Sequence, residues 1–288
     1  MNLHFPIPFT KMSGTGNDFI IIDNRDSLLA GDGLPEFVRA VCRRKFSVGA
    51  DGLILIENSR AADFSWQFFN ADGSLAEMCG NGARCAARFA YMRGIAPAGM
   101  RFATAAGLVE ASVNAADGNV KIRLTPAGDI RLDLRFVLDG EDRIVHFINT
   151  GVPHAVLLVD DVAGVPVAEW GRTLRYHDFF KPAGTNVNFV QVVGEKSLKV
   201  RTYERGVEGE TMACGTGAVA SAVIGAMTAG IGSPTDITTS GGGSLTIHFA
   251  APDRTARIVD PVFLAGPAHF VYDGQLQADA VQNINLNP

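Results

Sequence analysis

Four cysteines in 288 residues are too few for a disulfide scaffold, and none of Cys42, Cys79, Cys85 and Cys214 belongs to a Cys-x-x-Cys pair. Reduced thiols are therefore expected. Long apolar runs are missing as well: stretches such as Ala155-Val156-Leu157-Leu158-Val159 are far too short to span a bilayer, and the N-terminus has no charged region leading into an apolar one. A soluble, cytoplasmic protein without a membrane partner is the expectation. Basic residues are scattered and the net charge is −5, which argues against a nucleic-acid footprint and leaves a small polar metabolite as the partner. No low-complexity segment or long linker interrupts the chain. Its length and its 47% hydrophobic content suit one large core or two smaller ones, and two domains are expected.

What the chain does contain is one stretch twice. The first copy is Met78-Cys79-Gly80-Asn81-Gly82-Ala83-Arg84-Cys85-Ala86-Ala87, and the second is Ala213-Cys214-Gly215-Thr216-Gly217-Ala218-Val219-Ala220-Ser221-Ala222. Each opens Cys-Gly-x-Gly-Ala and runs into Ala-rich sequence free of proline, which predicts a helix starting at each cysteine. Upstream, Phe64-Ser65-Trp66-Gln67-Phe68-Phe69 and Leu198-Lys199-Val200-Arg201-Thr202-Tyr203 read as strands ending in polar turns. Asn70 precedes Cys79 by nine residues (79 − 70), and Arg205 precedes Cys214 by nine (214 − 205). Duplicated halves are implied.

The first turn of a helix carries unpaired N–H groups and the positive end of the helix dipole, so it binds anions and favours a thiolate. If the halves face each other, two cysteines and two anion-binding helix ends converge. Inverting a stereocentre beside a carboxylate requires a base on one face of the carbon and an acid on the other, and one thiolate with one thiol meets that requirement. Cys42, after the helix-like Phe37-Val38-Arg39-Ala40-Val41, and Cys85, where the second copy has Ala220, read as packing residues.

The stretches Phe9-Thr10-Lys11-Met12-Ser13-Gly14-Thr15-Gly16-Asn17-Asp18-Phe19, Asn70-Ala71-Asp72-Gly73-Ser74 through Cys85, Gly184-Thr185-Asn186-Val187-Asn188-Phe189 and Tyr203-Glu204-Arg205-Gly206 through Gly217 resemble diaminopimelate epimerase. The resemblance covers nearly the whole chain in the family's order. It implies an α/β (α+β) fold of two pseudo-symmetric domains, each a curved, mostly antiparallel sheet wrapped around a central helix. It also implies interconversion of L,L- and meso-2,6-diaminoheptanedioate, in lysine and peptidoglycan precursor synthesis, with neither pyridoxal phosphate nor metal nor any other cofactor. Cys79 and Cys214 would be the acid/base pair, and Gly80, Asn81, Gly215 and Thr216 would offer backbone N–H groups to the reacting carboxylate. Asn17, Asn70, Asn186 and Arg205 would hold the substrate, with Glu204 on an ammonium. His154 would stand behind the site and help set protonation.

The break at Pro126-Ala127-Gly128-Asp129 is the expected domain boundary, giving residues 1–126 and 127–275, with a last strand at about 276–288 returning to the first domain. A homodimer is one admissible assembly. Two positions depart from the family pattern: Gly52 stands where some members have a substrate-contacting glutamine, and Val152 stands where an asparagine is common. Many relatives also have one residue fewer between the Glu204-Arg205 pair and the cysteine; that pair, read without the resemblance, is an exposed ion pair by default.

Proline racemase and hydroxyproline epimerase also pair two cysteines across duplicated halves, but their first motif typically carries histidine where this chain has Asn81. They also need no grip on a second amino-acid head. A thiol redox protein leaves the polar groups around the cysteines unexplained, and oxidation of the pair reads as an inactivating liability. Gly215-x-Gly-x-x-Ala220 only superficially fits a dinucleotide fingerprint, since the glycine does not directly follow a strand. A non-catalytic binding module would have no need of two thiols at two helix starts.

Overall fold

In the computed structural model, which describes residues 3–281, the first of two units runs through Ile122 and resumes at Pro267, and the second spans Arg123–Gly266. The chain enters the first unit with β1 (Ile7–Gly14), β2 (Asn17–Asp23), α1 (Leu34–Val41), β3 (Gly52–Glu57), β4 (Phe64–Asn70), β5 (Leu75–Ala76), α2 (Gly80–Met92), β6 (Gly99–Thr104), β7 (Gly107–Val113) and β8 (Val120–Leu124). The second unit holds β9 (Ala127–Leu138), β10 (Glu141–Asn149), β11 (Pro153–Leu158), α3 (Val167–Arg175), β12 (Asn186–Gly194), β13 (Ser197–Glu204), β14 (Gly209–Thr211), α4 (Gly215–Ala229), β15 (Thr235–Thr239), β16 (Ser244–Phe249), β17 (Ile258–Val259) and β18 (Val262–Gly266). β19 (His269–Leu276) belongs to the first unit.

The duplication read from the cysteine motifs extends to the topology. In the first unit β1 and β2 are antiparallel, β2 and β3 parallel, β3 and β4 antiparallel; β4 pairs with β5 before α2 and with β6, in parallel, after it. In the second, β10 and β11 are antiparallel, β11 and β12 parallel, β12 and β13 antiparallel; β13 pairs with β14 before α4 and with β15, in parallel, after it. Each unit thus threads its cysteine helix between the same two strand pairings.

Strands buried on both faces read as unbroken apolar runs, which explains Phe19-Ile20-Ile21-Ile22 in β2 and Leu53-Ile54-Leu55-Ile56 in β3. Ile20, Ile22, Leu53 and Leu55 pack against Phe37, Val38 and Val41 of α1. The opposite face carries Phe19 and Ile54, which lie near Gly82 of α2. In the second unit Ala155, Leu157, Val187 and Phe189 pack with Val167 and Leu174 of α3. Helix α4, apolar on every side, is buried from Gly217 through Gly225 and touches β10, β11, β12, β13, β15, β16 and β18. It ends at Gly230, whose φ of 70° is the left-handed stop that glycine provides. Each unit is therefore a mostly antiparallel sheet wrapped around one central helix, the mixed α/β class expected.

The division between the units falls four residues before the expected one (126 − 122), and the chain returns to the first unit nine residues earlier than expected (275 − 266). The reason is strand pairing: β19 is registered along β1 from His269 opposite Ser13 to Leu276 opposite Ile7. The part of the expected last strand at 282–288 lies outside the described residues.

Candidate active site

Each of the two repeated cysteines is the residue from which its central helix springs. Cys79 caps α2 with extended backbone (φ −143°, ψ 119°), and its sulfur accepts the N–H of Gly82 at 3.4 Å. Cys214 holds the same place on α4 (φ −124°, ψ 109°). Both keep partial exposure, whereas Cys42 and Cys85 are buried and their thiols are pushed up to about 12 by that burial. Gly80 and Asn81, and Gly215 and Thr216, are the first two residues of their helices, so their N–H groups belong to the turn that lacks intrahelical acceptors.

Glycine follows each cysteine by three residues, and in the second copy the reason is contact. A Cβ on Gly217 would stand 2.3 Å from Oδ1 of Asn188 and 3.3 Å from the Cys214 sulfur. Asn188 is fully buried and organises a relay behind the cysteine. Its Nδ2 faces the Ala155 carbonyl at 3.1 Å, which can only accept, and His154 Nδ1 at 3.0 Å; its Oδ1 accepts from the Thr202 hydroxyl at 3.0 Å. Nδ1 of His154 is therefore the acceptor and the proton sits on Nε2. Nε2 lies 3.0 Å from Thr216 Oγ1, so the imidazole donates there, and the Thr216 hydroxyl proton is left for the Cys214 sulfur at 3.5 Å. Complete burial, with Arg205 adding to the effect, pushes the His154 imidazole down to about 3, so it is neutral.

Cys214 is pushed up to about 11, first by burial and then by the Glu204 carboxylate; the Thr216 hydroxyl and the N–H groups of Gly217 and Thr216 work in the opposite direction. Glu204 itself is raised by burial. Among the described residues Glu204 and Arg205 form no ion pair. Arg205 instead donates Nη1 to the Ala183 carbonyl at 2.9 Å, and its backbone N–H goes to Asn186 Oδ1 at 2.8 Å. Nδ2 of Asn186 holds the Pro153 carbonyl at 3.2 Å, so this side chain ties three strand ends together.

In the first unit Asn17 donates to Asp51 at 3.0 Å and accepts from Asn81 Nδ2 at 2.7 Å. Asn81 in turn accepts from Arg84 at 2.8 Å, so its side chain is spent on neighbouring side chains and its first-turn N–H is not. Asn70 is exposed at the end of β4 and donates to Ser74 Oγ at 3.0 Å. Although burial works to raise it, hydrogen bonds from Arg44 and Lys11 hold the Asp18 carboxyl at about 2, and this ion pair braces the β1–β2 turn beside Asn17.

Register refines the equivalence drawn from spacing. Asn70 pairs with Gly52 at the start of β3; Tyr203 pairs with Val187, the second residue of β12, which sets Glu204 opposite Asn186 at its start, so the counterpart of Asn70 is Glu204. Glu204 precedes its cysteine by ten residues (214 − 204), and the loop in the second copy is one residue longer. The glutamine that some relatives carry at Gly52 has no space here: a Cβ would lie 2.5 Å from the Phe69 carbonyl and 2.7 Å from the Phe68 ring. Asn188 and Arg84 were not marked by the sequence as site residues. The signal for Arg84 was an arginine inside an otherwise small, apolar helix; for Asn188 there was only its alternation with Asn186.

Among the described residues no cluster of three or more His, Cys, Asp or Glu side chains could hold a metal ion, and no helix is long and apolar enough to cross a membrane. The family model for diaminopimelate epimerase matches residues 9–128 and 146–271. A diaminopimelate epimerase of Aquifex aeolicus is 47% identical over 283 residues, covering 95% of this chain and 99% of that one. A crystal structure of a phenazine biosynthesis protein of the PhzF family from Bacillus anthracis superposes with a TM-score of 0.70 at 15% identity, over 95% of this chain and 100% of the other. A probable proline racemase from Agrobacterium radiobacter gives 0.66 at 15% identity, over 96% and 94%; at that identity the likeness is one of fold.

Proposed function

The chain belongs to the diaminopimelate epimerase family, and from that premise we propose that Cys79 and Cys214 are the acid and base of an isomerase that interconverts L,L- and meso-2,6-diaminoheptanedioate, a cytoplasmic step of lysine and peptidoglycan precursor synthesis. The observation that carries the reading is that the two partly exposed thiols cap the central helices of two units built on one topology. One sulfur takes the α-proton as thiolate while the other delivers a proton to the opposite face of the carbon, and the pair titrates together.

Removing an α-proton pushes charge onto the carboxylate beside it. The N–H groups of Gly80 and Asn81 on α2, and of Gly215 and Thr216 on α4, are fixed donors for that charge, and the helix dipoles add to them. Asn17, Asn70, Asn186 and Arg205 hold the amino-acid groups of the substrate, with Glu204 accepting from an ammonium. For Asn17 and Asn186 that leaves only the second amide hydrogen, because the first is already committed to Asp51 and to Pro153. His154 acts through Thr216 on Cys214 rather than on the substrate.

Proton NMR in D2O with L,L-diaminopimelate and no added cofactor tests the proposal. Deuterium enters the α-position as meso product forms, and both Cys79→Ala and Cys214→Ala abolish it, while proline remains unexchanged. Absence of exchange by the fully reduced enzyme overturns the substrate assignment, and exchange of proline alone turns it toward the proline racemases.

A further inference from the structure

Arg84 is wholly buried, yet among the described residues its charge has no carboxylate partner. A guanidinium stays protonated at every pH a protein survives, and a buried cation normally sits against an anion. Nη1 of Arg84 donates to the carbonyl of Gly80, the residue after Cys79, at 3.3 Å; Nη2 donates to Thr15 Oγ1 at 2.9 Å and Asn81 Oδ1 at 2.8 Å. All three acceptors are neutral, and Nε has no partner among the described residues.

Among the described residues, the charged groups on β1, β2, β3 and β7, which pack against α2, are paired elsewhere or exposed; Asp23 on β2 holds Arg25. Lys11 on β1 pairs with Asp18 on β2 at 2.8 Å, and Asp18 also receives Arg44. Glu57 on β3 accepts from Asn24 and Gln67, Glu110 on β7 is exposed, and Arg88 on α2 itself donates to the Ala268 carbonyl. The nearest thiol along the chain to the Gly80 carbonyl held by Nη1 is that of Cys79. Burial lowers Arg84 from its usual range while Cys85 and Cys79 act to raise it. Cys85 is buried and pushed up to about 12, so it stays a thiol at neutral pH, whereas Cys79 is partly exposed, precedes the Gly80 carbonyl that Nη1 holds and has its sulfur on the first-turn N–H of Gly82.

We propose that Arg84 is a positioning residue whose buried charge holds Cys79 as the resting thiolate, and whose fork fixes Asn81, and through it Asn17, in the orientation that faces the substrate. This deepens the two-thiol reading by assigning the base of the resting enzyme. It also gives the two cysteines unlike supports, a cation behind Cys79 and a neutral hydroxyl relay behind Cys214.

The test needs no substrate, so its failure is separable from failure of the epimerase reading. In a Cys214→Ala background, iodoacetamide alkylation of Cys79 is followed by peptide mass mapping across the pH range in which thiols titrate. Arg84→Met raises the midpoint by about one pH unit, slowing alkylation about tenfold below it, and Arg84→Lys restores most of the parent rate. Superimposable profiles for parent and folded Arg84→Met overturn the proposal. Should the Met variant not fold, the same pairing is read with Arg84 in place: Cys79→Asp, which keeps an anion, melts above Cys79→Ala, and equal or reversed melting overturns the proposal.

Discussion

Replacing Asn188 by aspartate is nearly isosteric and inverts the relay behind Cys214. The amide Nδ2 that now donates to His154 Nδ1 at 3.0 Å and to the Ala155 carbonyl at 3.1 Å becomes, in the ionised carboxylate, an oxygen that can only accept, so the bond to Ala155 is lost as well. The imidazole proton then moves to Nδ1, Nε2 becomes an acceptor, and the Thr216 hydroxyl turns its hydrogen toward Nε2 and away from the sulfur 3.5 Å away. A hydrogen bond to a charged partner contributes about 1.5–3 kcal/mol, equivalent to about one to two pKa units at about 1.36 kcal/mol each. Alkylation of Cys214 in Asn188→Asp is thus expected to slow about ten- to a hundredfold at a pH below its midpoint. The 15N shifts of His154 report the Nε2–H tautomer in the parent and Nδ1–H in the variant. Because the new carboxylate also raises Cys214 through its charge, Thr216→Val separates the causes: added to Asn188→Asp, it costs little further reactivity if the hydroxyl carried the effect. An unchanged tautomer, or a full additional loss from Thr216→Val in the double variant, refutes the relay.

Three further outcomes follow from the same geometry. His154, at about 3 in the folded protein against about 6.5 unfolded, binds fewer protons than the unfolded chain between those values, so stability falls as pH drops through that window. The slope is up to about 1.4 kcal/mol per pH unit, and urea midpoints of His154→Gln, measured against the parent on either side of the imidazole range, should show the pH-dependent part removed. Gly217→Ala forces a Cβ to 2.3 Å from Asn188 Oδ1, while a Cβ on Gly80 meets only Ile122 Cδ1 at 3.8 Å; thermal melts should show a large loss for the first, on the order of a few kcal/mol, and little change for the second. Gly52→Gln, which restores the residue of some relatives, should destabilise the fold and leave KM no lower, because Phe68 and Phe69 already occupy the space its Cβ needs; a lower KM with unchanged melting contradicts the packing argument.

Much of the architecture was legible in the chain. The alternation in β4 and the apolar runs of β2 and β3 carry the periodicity of one-sided and two-sided burial, and the Ala-rich copies after Cys79 and Cys214 carry helix propensity with no competing turn residue. Local chemistry also marked the two helix starts, since a Cys-Gly-x-Gly turn before a helix leaves first-turn N–H groups unpaired wherever it occurs. The spacing argument went astray by one residue in the second copy, since counting back from a cysteine cannot detect an insertion in the loop, whereas the pairing of Val187 with Tyr203 does.

The sequence by itself determined the duplicated pattern, the two sulfur positions and the family, because these depend on residue type and order along the chain. Only the tertiary structure decided which side chains are spent on one another. Asn186 bonding to Arg205 and Pro153, and Asn188 setting the tautomer of His154, join residues from 19 to 34 positions apart. Whether Arg84 is a surface cation or a buried one rests on the sheet that closes over α2. Burial and hydrogen-bond exchange are properties of the folded surroundings, and they convert an ordinary arginine and an ordinary asparagine into the groups standing behind the two thiols.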